Sequence, residues 1–310
     1  MSPPRILVTG VAGFIGSNLA HDLLERGYRV VGVDDLSYGV REQIPDACDF
    51  HQVDIRSPEL VDLVEAGDVI FHLAAKNCIA DCQEDPVETA SINVMGSANV
   101  FEAARRKKAA KVVYAESSAL YEGSKTLPTP EDDVHPESFY AISKAASMEF
   151  ADAYARFHGV KSTALRYFNV YGPRQDYRRT IPPLMSAFIM RLAEGKAPTI
   201  YGTGEKRRDF IHVDDVNRFH ELCIRDDRTD GQVFNLGSGT NHSVLEIYEQ
   251  VAALMGSGVA PQHEPDLPGE AQANLADISK AKSLGWAPTI GLEAGIRSMI
   301  DHLRGSGLIR

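Results

Sequence analysis

Short apolar runs rich in β-branched residues alternate with amphipathic stretches through the first two-thirds of the chain. Arg5-Ile6-Leu7-Val8 reads as a buried strand, and the stretch after it carries Leu19, Leu23 and Leu24 on one helical face before closing at Gly27. A second strand follows from Arg29 to Val33. Ser57-Pro58 then opens a helix, with proline at a position where its missing N–H costs nothing. Asp68-Val69-Ile70-Phe71 and Lys111-Val112-Val113-Tyr114 are two further strands, separated by a helix around Asn93 to Arg105. Strands separated by helices predict an α/β fold, a doubly wound parallel sheet with both faces covered.

After about Tyr167 the pattern becomes irregular and richer in Pro and Gly, as in Tyr171-Gly172-Pro173-Arg174 and Tyr201-Gly202-Thr203-Gly204. This predicts a second, smaller α/β lobe. Val233-Phe234-Asn235-Leu236 reads as a strand returning to the sheet, and Ser243 with Glu246 forms a capping-box pattern opening a helix of the smaller lobe. The expected domains are therefore interleaved: 1–168 with 210–238, and 169–209 with 239–310.

With 44% hydrophobic and 24% charged residues over 310 positions, the chain has ample material for a core, which excludes a disordered or disulfide-stapled class. Its 32 basic and 43 acidic side chains leave a net charge of −11 with no long run of one sign, which argues against nucleic acid or a membrane surface as the main partner. No apolar run approaches the ~20 residues of a membrane span, and Met1 to Arg5 leads directly into a strand pattern rather than a signal peptide, so the expected compartment is the cytoplasm. Cys78 and Cys82 stand four apart, but a metal site would need two more ligands, and no metal is expected.

The first strand runs through Thr9-Gly10-Val11-Ala12-Gly13-Phe14-Ile15-Gly16 into a helix. Gly10 permits a tight turn, Gly13 lets backbone N–H groups approach a pyrophosphate, and Gly16 lets helix and strand pack closely. Any strand-to-helix turn can use glycines, so the loop alone is a weak signal. The second strand, however, ends at Asp34-Asp35, eighteen residues after Gly16, close to the ~20 expected of the acid that accepts hydrogen bonds from an adenosine ribose. A carboxylate there repels a 2′-phosphate, which predicts NAD rather than NADP. Tyr140-Ala141-Ile142-Ser143-Lys144 places a phenol and an ammonium on neighbouring turns of one helix, and Ser117-Ser118 ends a buried strand where a cofactor edge should lie.

Together with Asp54-Ile55-Arg56, His72-Leu73-Ala74-Ala75, Asn93-Val94-Met95-Gly96, Arg166 to Pro173 and Arg208 to Asp215, these features resemble the extended short-chain dehydrogenase/reductase superfamily. Within it, the chain is similar to the NAD-dependent sugar-nucleotide epimerases of the UDP-glucose 4-epimerase type. The resemblance covers nearly the whole chain and implies a Rossmann domain, NAD as cofactor, a nucleotide-sugar substrate, most simply a UDP-sugar, and a homodimer. For the cofactor it implies Gly10, Gly13, Phe14, Ile15, Asp34, Asp35, Ser37 and Gly39 along the loop and ribose edge, and Asp54 and Ile55 at the adenine. Leu73, Ala74, Ala75 and Asn93 would line the pyrophosphate and ribose, with Tyr167 near the nicotinamide. It makes Tyr140 the base that takes the sugar hydroxyl proton, with Lys144 on the nicotinamide ribose and Ser117 hydrogen-bonded to the reacting oxygen. A free phenol has a pKa of ~10, and an adjacent ammonium favours its phenolate.

For the substrate, the resemblance implies Ser117, Asn169, Arg179, Thr180, Tyr201, Arg208, Glu270 and Asn274. Dehydratase and decarboxylase relatives need an acid just after the catalytic hydroxyl, and Ser118 and Ala119 stand there instead, which fits 4-epimerisation through a transient 4-keto sugar. Leu267 replaces a usual diphosphate-binding Arg, and Arg174, Arg178, Arg179, Lys206 or Arg207 could compensate, or Arg178-Arg179 could be solvated surface. Asn274 is smaller than the aromatic residue of selective members, leaving room for an N-acetyl group, and an arginine of the pair could meet a uronic carboxylate. The helices of Asn93 and Tyr140 are the expected dimer elements, with Met148, Ala151 and Ala155 as seam or core. Two other readings stay open: a non-catalytic member that binds NAD and a sugar nucleotide, and an epimerase/reductase acting on a different nucleotide sugar.

Overall fold

The computed structural model describes residues 3–179, 182–266 and 271–310. The chain alternates strand and helix as its periodicity predicts: β1 (Arg5–Thr9), α1 (Phe14–Glu25), β2 (Arg29–Asp34), β3 (Asp49–Gln52), α2 (Leu60–Leu63) and β4 (Val69–His72). Short helices α3 (Ile79–Glu84) and α4 (Pro86–Ala90) follow, and then α5 (Gly96–Lys107), β5 (Lys111–Ser117), α6 (Phe139–His158) and β6 (Ser162–Tyr167). Beyond them lie β7 (Val170–Tyr171), α7 (Leu184–Ala193), β8 (Thr199–Tyr201), β9 (Arg207–Asp209), β10 (Ile211–His212), α8 (Val213–Arg225) and β11 (Gln232–Leu236). The last elements are β12 (Asn241–Ser243), α9 (Val244–Met255), β13 (Gln262–Glu264), α10 (Ser279–Ser283) and α11 (Leu292–Gly305).

Two compact units emerge, the first from Met1–Lys125, Glu131–Tyr167 and Asn217–Asn235. Its seven-stranded sheet has the order β11-β6-β5-β4-β1-β2-β3. β1 pairs in parallel with β2 on one side and β4 on the other, so Val8 lies between Gly32 and Phe71. The chain reverses its direction of travel across the sheet at β1, and the crevice beyond the carboxyl ends of β1 and β4 is where such sheets take ligands. Apolar side chains of β5, β6 and the helices facing them, among them Val112, Tyr114, Ala164, Phe101 and Ala151, form the core on one side. β11 returns to the sheet edge beside β6, as the run at Val233 predicts.

Two local expectations change. The helix at Ser57-Pro58 is one turn, Leu60–Leu63, because Val64 already turns extended and Gly67 takes φ +86°. The helix around Asn93 opens earlier, at Pro86, and runs from α4 through a π-turn over Ser91–Met95 into α5. An inserted residue of this kind frees a carbonyl from the helical ladder and is frequent at functional sites.

The second unit comprises Thr126–Pro130, Phe168–Val216 and Leu236–Arg310. Its helices α7, α9 and α11 share an apolar core of Phe188, Ile189, Ile247, Val251, Ile296 and Ile300. Two-stranded pairs β7–β10, β8–β13 and β9–β12 surround it. The capping box opening α9 is present: Ser243 Oγ accepts the Glu246 N–H at 3.0 Å, and Glu246 accepts the Ser243 N–H at 3.1 Å. Among the described residues, no helix is long and apolar enough to cross a membrane, and no group of three or more metal-ligating side chains gathers.

Candidate active site

The turn from β1 into α1 is as tight as its glycines predict. Gly10 adopts φ +72°, and a Cβ on it would lie 2.8 Å from the Ala74 backbone nitrogen. A Cβ on Gly16 would lie 2.1 Å from the Gly10 carbonyl oxygen. No side chain caps α1 at Gly13, so the N–H groups of its first turn, Phe14 and Ile15 included, are left for an anion.

Asp34 closes this cradle. Its carboxylate accepts the Ala12 N–H at 2.9 Å and the Leu36 N–H at 2.9 Å, so the acid is braced against the glycine loop with lone pairs left for ribose hydroxyls. Burial pushes its pKa up, and these two N–H donors oppose that rise. Asp35 accepts from the Ser37 N–H and hydroxyl, and a Cβ on Gly39 would strike Ala12 at 2.5 Å, which folds the segment back over the loop. Asp54 is held by the Arg56 guanidinium, which keeps its carboxyl low, while Ile55 is buried beneath Gly96. A bare helix N-terminus, a close-approach glycine turn and a braced carboxylate fit a dinucleotide.

Behind the cradle runs a buried polar relay. Thr9 Oγ accepts N–H groups of Leu73 and Ala74 and meets His72 Nδ1 at 2.9 Å, and His72 Nε2 meets Ser97 Oγ at 2.9 Å. Burial drives the His72 pKa down to about 3, so the ring is neutral. We assign the proton to Nε2, because Ser97 already donates its hydroxyl to the Asn93 carbonyl at 2.5 Å and must accept from the ring. That carbonyl also accepts from Ser147 at 2.9 Å. The Asn93 side chain clamps the Lys76 backbone from both sides and donates to Ser143 Oγ at 2.9 Å. It is spent on holding the segment after Ala75 against α6.

The helix α6 starts at Ser138, whose Oγ accepts the Ala141 N–H at 3.1 Å. Glu122 supports that cap: its carboxylate accepts the Ser138 and Glu137 N–H groups at 2.7 and 3.2 Å and the Ser138 hydroxyl at 2.9 Å. Glu122 therefore fixes the start of the helix that carries Tyr140 and Lys144. Tyr140 packs with Ala119, Ala141 and Cys82 in a small buried cluster. Lys144 is 4% exposed and donates to the Ala115 carbonyl at 3.1 Å. Burial pulls its pKa down to about 8, against the opposing charge of Glu116. Ser117, two residues beyond Ala115, accepts the Ala119 N–H at 3.2 Å, which leaves its hydroxyl proton to donate. The Tyr167 hydroxyl meets His220 Nε2 at 2.7 Å.

In the second unit Asn274 Oδ1 accepts the Asp209 N–H at 2.7 Å and is approached by Asn169 Nδ2 at 3.4 Å. That brings Asn169 and Asn274 together beside Arg208, which is half-buried. Arg178 and Arg179 both pair with Asp176, Arg207 with Glu246, and Lys206 with Asp266. Tyr201 lies exposed in β8. Thr180, Leu267 and Glu270 lie outside the described residues.

The model of the NAD dependent epimerase/dehydratase family matches residues 6–237, most of the chain. The chain belongs to this family. A relative, the UDP-glucose 4-epimerase of Mycolicibacterium smegmatis, is 35% identical over 97% of this chain and 98% of its own length. The crystal structure of UDP-glucose 4-epimerase with UDP-glucose from Thermotoga maritima superposes with a TM-score of 0.92 at 34% identity, covering 97% of this chain and 99% of that one. A UDP-N-acetylglucosamine 4-epimerase from Methanobrevibacter ruminantium, in complex with UDP-N-acetylmuramic acid, gives 0.94 at 28% identity over 99% and 100%.

The motifs name residues at strand and helix ends and say nothing of those behind them. Glu122, Ser97, Ser147 and Thr9 act through partners distant in the sequence, and spacing carries no signal for such pairs. The sequence does mark His72, but only its neutral, relayed state shows what it does.

Proposed function

We propose that this chain inverts carbon 4 of a nucleotide-diphosphate sugar of the UDP-glucose/UDP-galactose type, N-acetylated and uronic forms included, through a transient 4-keto sugar. It is an NAD-dependent nucleotide-sugar 4-epimerase. When bound, NAD supplies the acceptor and then the donor of the hydride at that carbon. Gly10, Gly13, Phe14 and Ile15 hold the pyrophosphate and Asp34 the adenosine ribose, in a nucleotide domain that we assign to 1–168 and 210–238.

Tyr140 takes the proton of the sugar hydroxyl and returns it, Ser117 donates a hydrogen bond to the reacting oxygen, and Lys144 supports the phenolate from the next turn. The observation that carries the reading lies next to that set. After Ser117 come Ser118 and Ala119, the second packed on Tyr140, and neither can exchange a proton with the sugar as a dehydratase acid would. The nearby carboxylates are engaged elsewhere, Glu116 with Arg166 and Glu122 with the start of α6. Asn169, Arg179, Thr180, Tyr201, Arg208, Glu270 and Asn274 remain the residues we assign to substrate recognition.

Proton NMR of the protein with NAD and, in separate tubes, UDP-glucose, UDP-N-acetylglucosamine and UDP-glucuronate tests the reading. Signals of the galacto epimer without net reduction of cofactor are the expected result and identify the sugar. Unchanged spectra in all three tubes from folded, NAD-loaded protein would defeat it.

We also propose a cytoplasmic homodimer. On α6, Phe139, Ile142, Phe150 and Phe157 stand exposed at helical spacing, with Met95 exposed on the π-turn, a row that a second copy would cover. This stripe, rather than Ala151, which is fully buried in the core, is the seam we assign.

A further inference from the structure

Glu116, one residue before Ser117, is fully buried together with Arg166, and their Oε2 and Nε atoms lie 2.6 Å apart. Side chains alternate along β5, so Ser117 and Glu116 point to opposite faces. Glu116 shares its face with Val112 and Tyr114, which pack in the core beneath α5 and α6. Arg166 is itself tied down: Nη1 donates to the Tyr121 hydroxyl at 2.8 Å and to the Glu131 carbonyl, Nη2 reaches Met148 Sδ at 3.3 Å, and Tyr121 in turn donates to Asn235 Oδ1 at 2.6 Å. Met148 stands one turn after Lys144 on α6, so the ion pair lies under the half of the helix that carries the ammonium. The other Glu116 oxygen has no partner of hydrogen-bonding geometry, although the Tyr114 hydroxyl is close enough to interact.

A buried ammonium needs a nearby negative charge or it sheds its proton. The groups acting on Lys144 from the elements around it are few. His72 on β4 is neutral, the Cys82 thiol on α3 is held protonated by burial, Tyr140 lies on the same helix, and Arg166 on β6 is a further cation. Glu116 on β5 supplies the opposing charge. The formal charges of Arg166, Glu116 and Lys144 sum to plus one, and a Tyr140 phenolate brings the buried set to neutrality. Without Glu116 the same set would carry plus two before Tyr140 ionises, and a bound nicotinamide ring would add to it.

We propose that Glu116 is a positioning residue for the reaction, holding Lys144 as an ammonium at the Ala115 carbonyl while Arg166 holds Glu116 in place. This rests on the 4-epimerase reading, since it assigns Lys144 its charged role there. Arg166 and Tyr121 belong to the same device: they fix a carboxylate that touches neither substrate nor cofactor.

The test reads Lys144 directly. In protein carrying carbon-13 at lysine Cε, the signal lost in Lys144→Met identifies the group, and its pH titration is followed in Glu116→Gln. The midpoint is expected to fall by about one pH unit or more, the scale of losing one neighbouring charge, and kcat to lose its alkaline limb at correspondingly lower pH with KM within about twofold. Glu116→Asp should restore both. A midpoint unchanged in folded Glu116→Gln would overturn the proposal. Because that variant strands a buried guanidinium, Glu116→Ser provides a second arm, which removes the same charge and leaves room for water to hydrogen-bond Arg166. A lowered midpoint there supports the proposal, and a wild-type midpoint overturns it. The titration needs no turnover, so a wild-type protein inert toward every sugar tube would defeat the epimerase reading while this measurement still reports on Glu116.

Discussion

A methyl group added at Gly10 would meet two obstacles, a backbone at φ +72° that L side chains avoid and the Ala74 nitrogen at 2.8 Å. The first costs ~1 kcal/mol, and the second forces apart the two strand ends that frame the cofactor crevice. Gly10→Ala is therefore expected to weaken NAD binding by more than about tenfold, ~1.4 kcal/mol, with a smaller loss of thermal stability. Isothermal titration with NAD beside a melting curve separates the two. At the same scale, His72 and His220 are buried and neutral, each with its pKa driven from 6.5 down to about 3. Between those values the unfolded chain binds protons that the native protein refuses, so stability present above pH 6.5 is lost as pH falls toward about 3. Melting temperatures taken across that window should fall with pH, and His220→Gln should flatten the fall while losing some stability throughout, since Tyr167 would have to adjust its 2.7 Å hydrogen bond.

Among the elements, α6 carries the two side chains we assign to proton transfer, Tyr140 and Lys144, and its start is held by residues well back in the chain. Glu122 makes three hydrogen bonds at Glu137 and Ser138. Loss of such a cap costs ~1 kcal/mol, and Glu122→Ala should lower both the melting temperature and kcat, whereas Glu122→Gln, which keeps an acceptor oxygen, should lower each less. The strands, the long helices and the glycine turn were legible in the sequence because periodicity and the needs of a tight turn are local properties. The π-turn at Asn93 was not. It changes no hydrophobic spacing, and its reason, a carbonyl turned to Ser97 and Ser147, exists only once α5 and α6 are packed. The one-turn helix at Leu60 was overestimated because Ser57-Pro58 signals where a helix opens and carries nothing about its length.

For the whole molecule, the apolar stripe on α6 makes a concentration-dependent prediction. Phe150→Glu places a charge in the middle of the row, and sedimentation at micromolar concentration should show wild-type dimer and variant monomer; a wild-type monomer would remove the homodimer from the proposal. The helix α6 and the glycine turn could be read from motifs at this scale too, because each lies within one segment of chain. The second unit could not, since its polar side chains work in pairs such as Asn169 with Asn274 and Arg207 with Glu246, joined across 105 and 39 residues.

The edge strand β11 gives the chain a timetable. The sheet begins at Arg5, yet its strand beside β6 is not made until Gln232–Leu236. While a ribosome is still releasing the residues between, β6 waits with an open edge, the backbone of Thr163, Ala164 and Leu165 free for another nascent chain to pair with. A chain interrupted before Gln232 would keep that edge open, so the interval of its synthesis is where a chaperone would matter most.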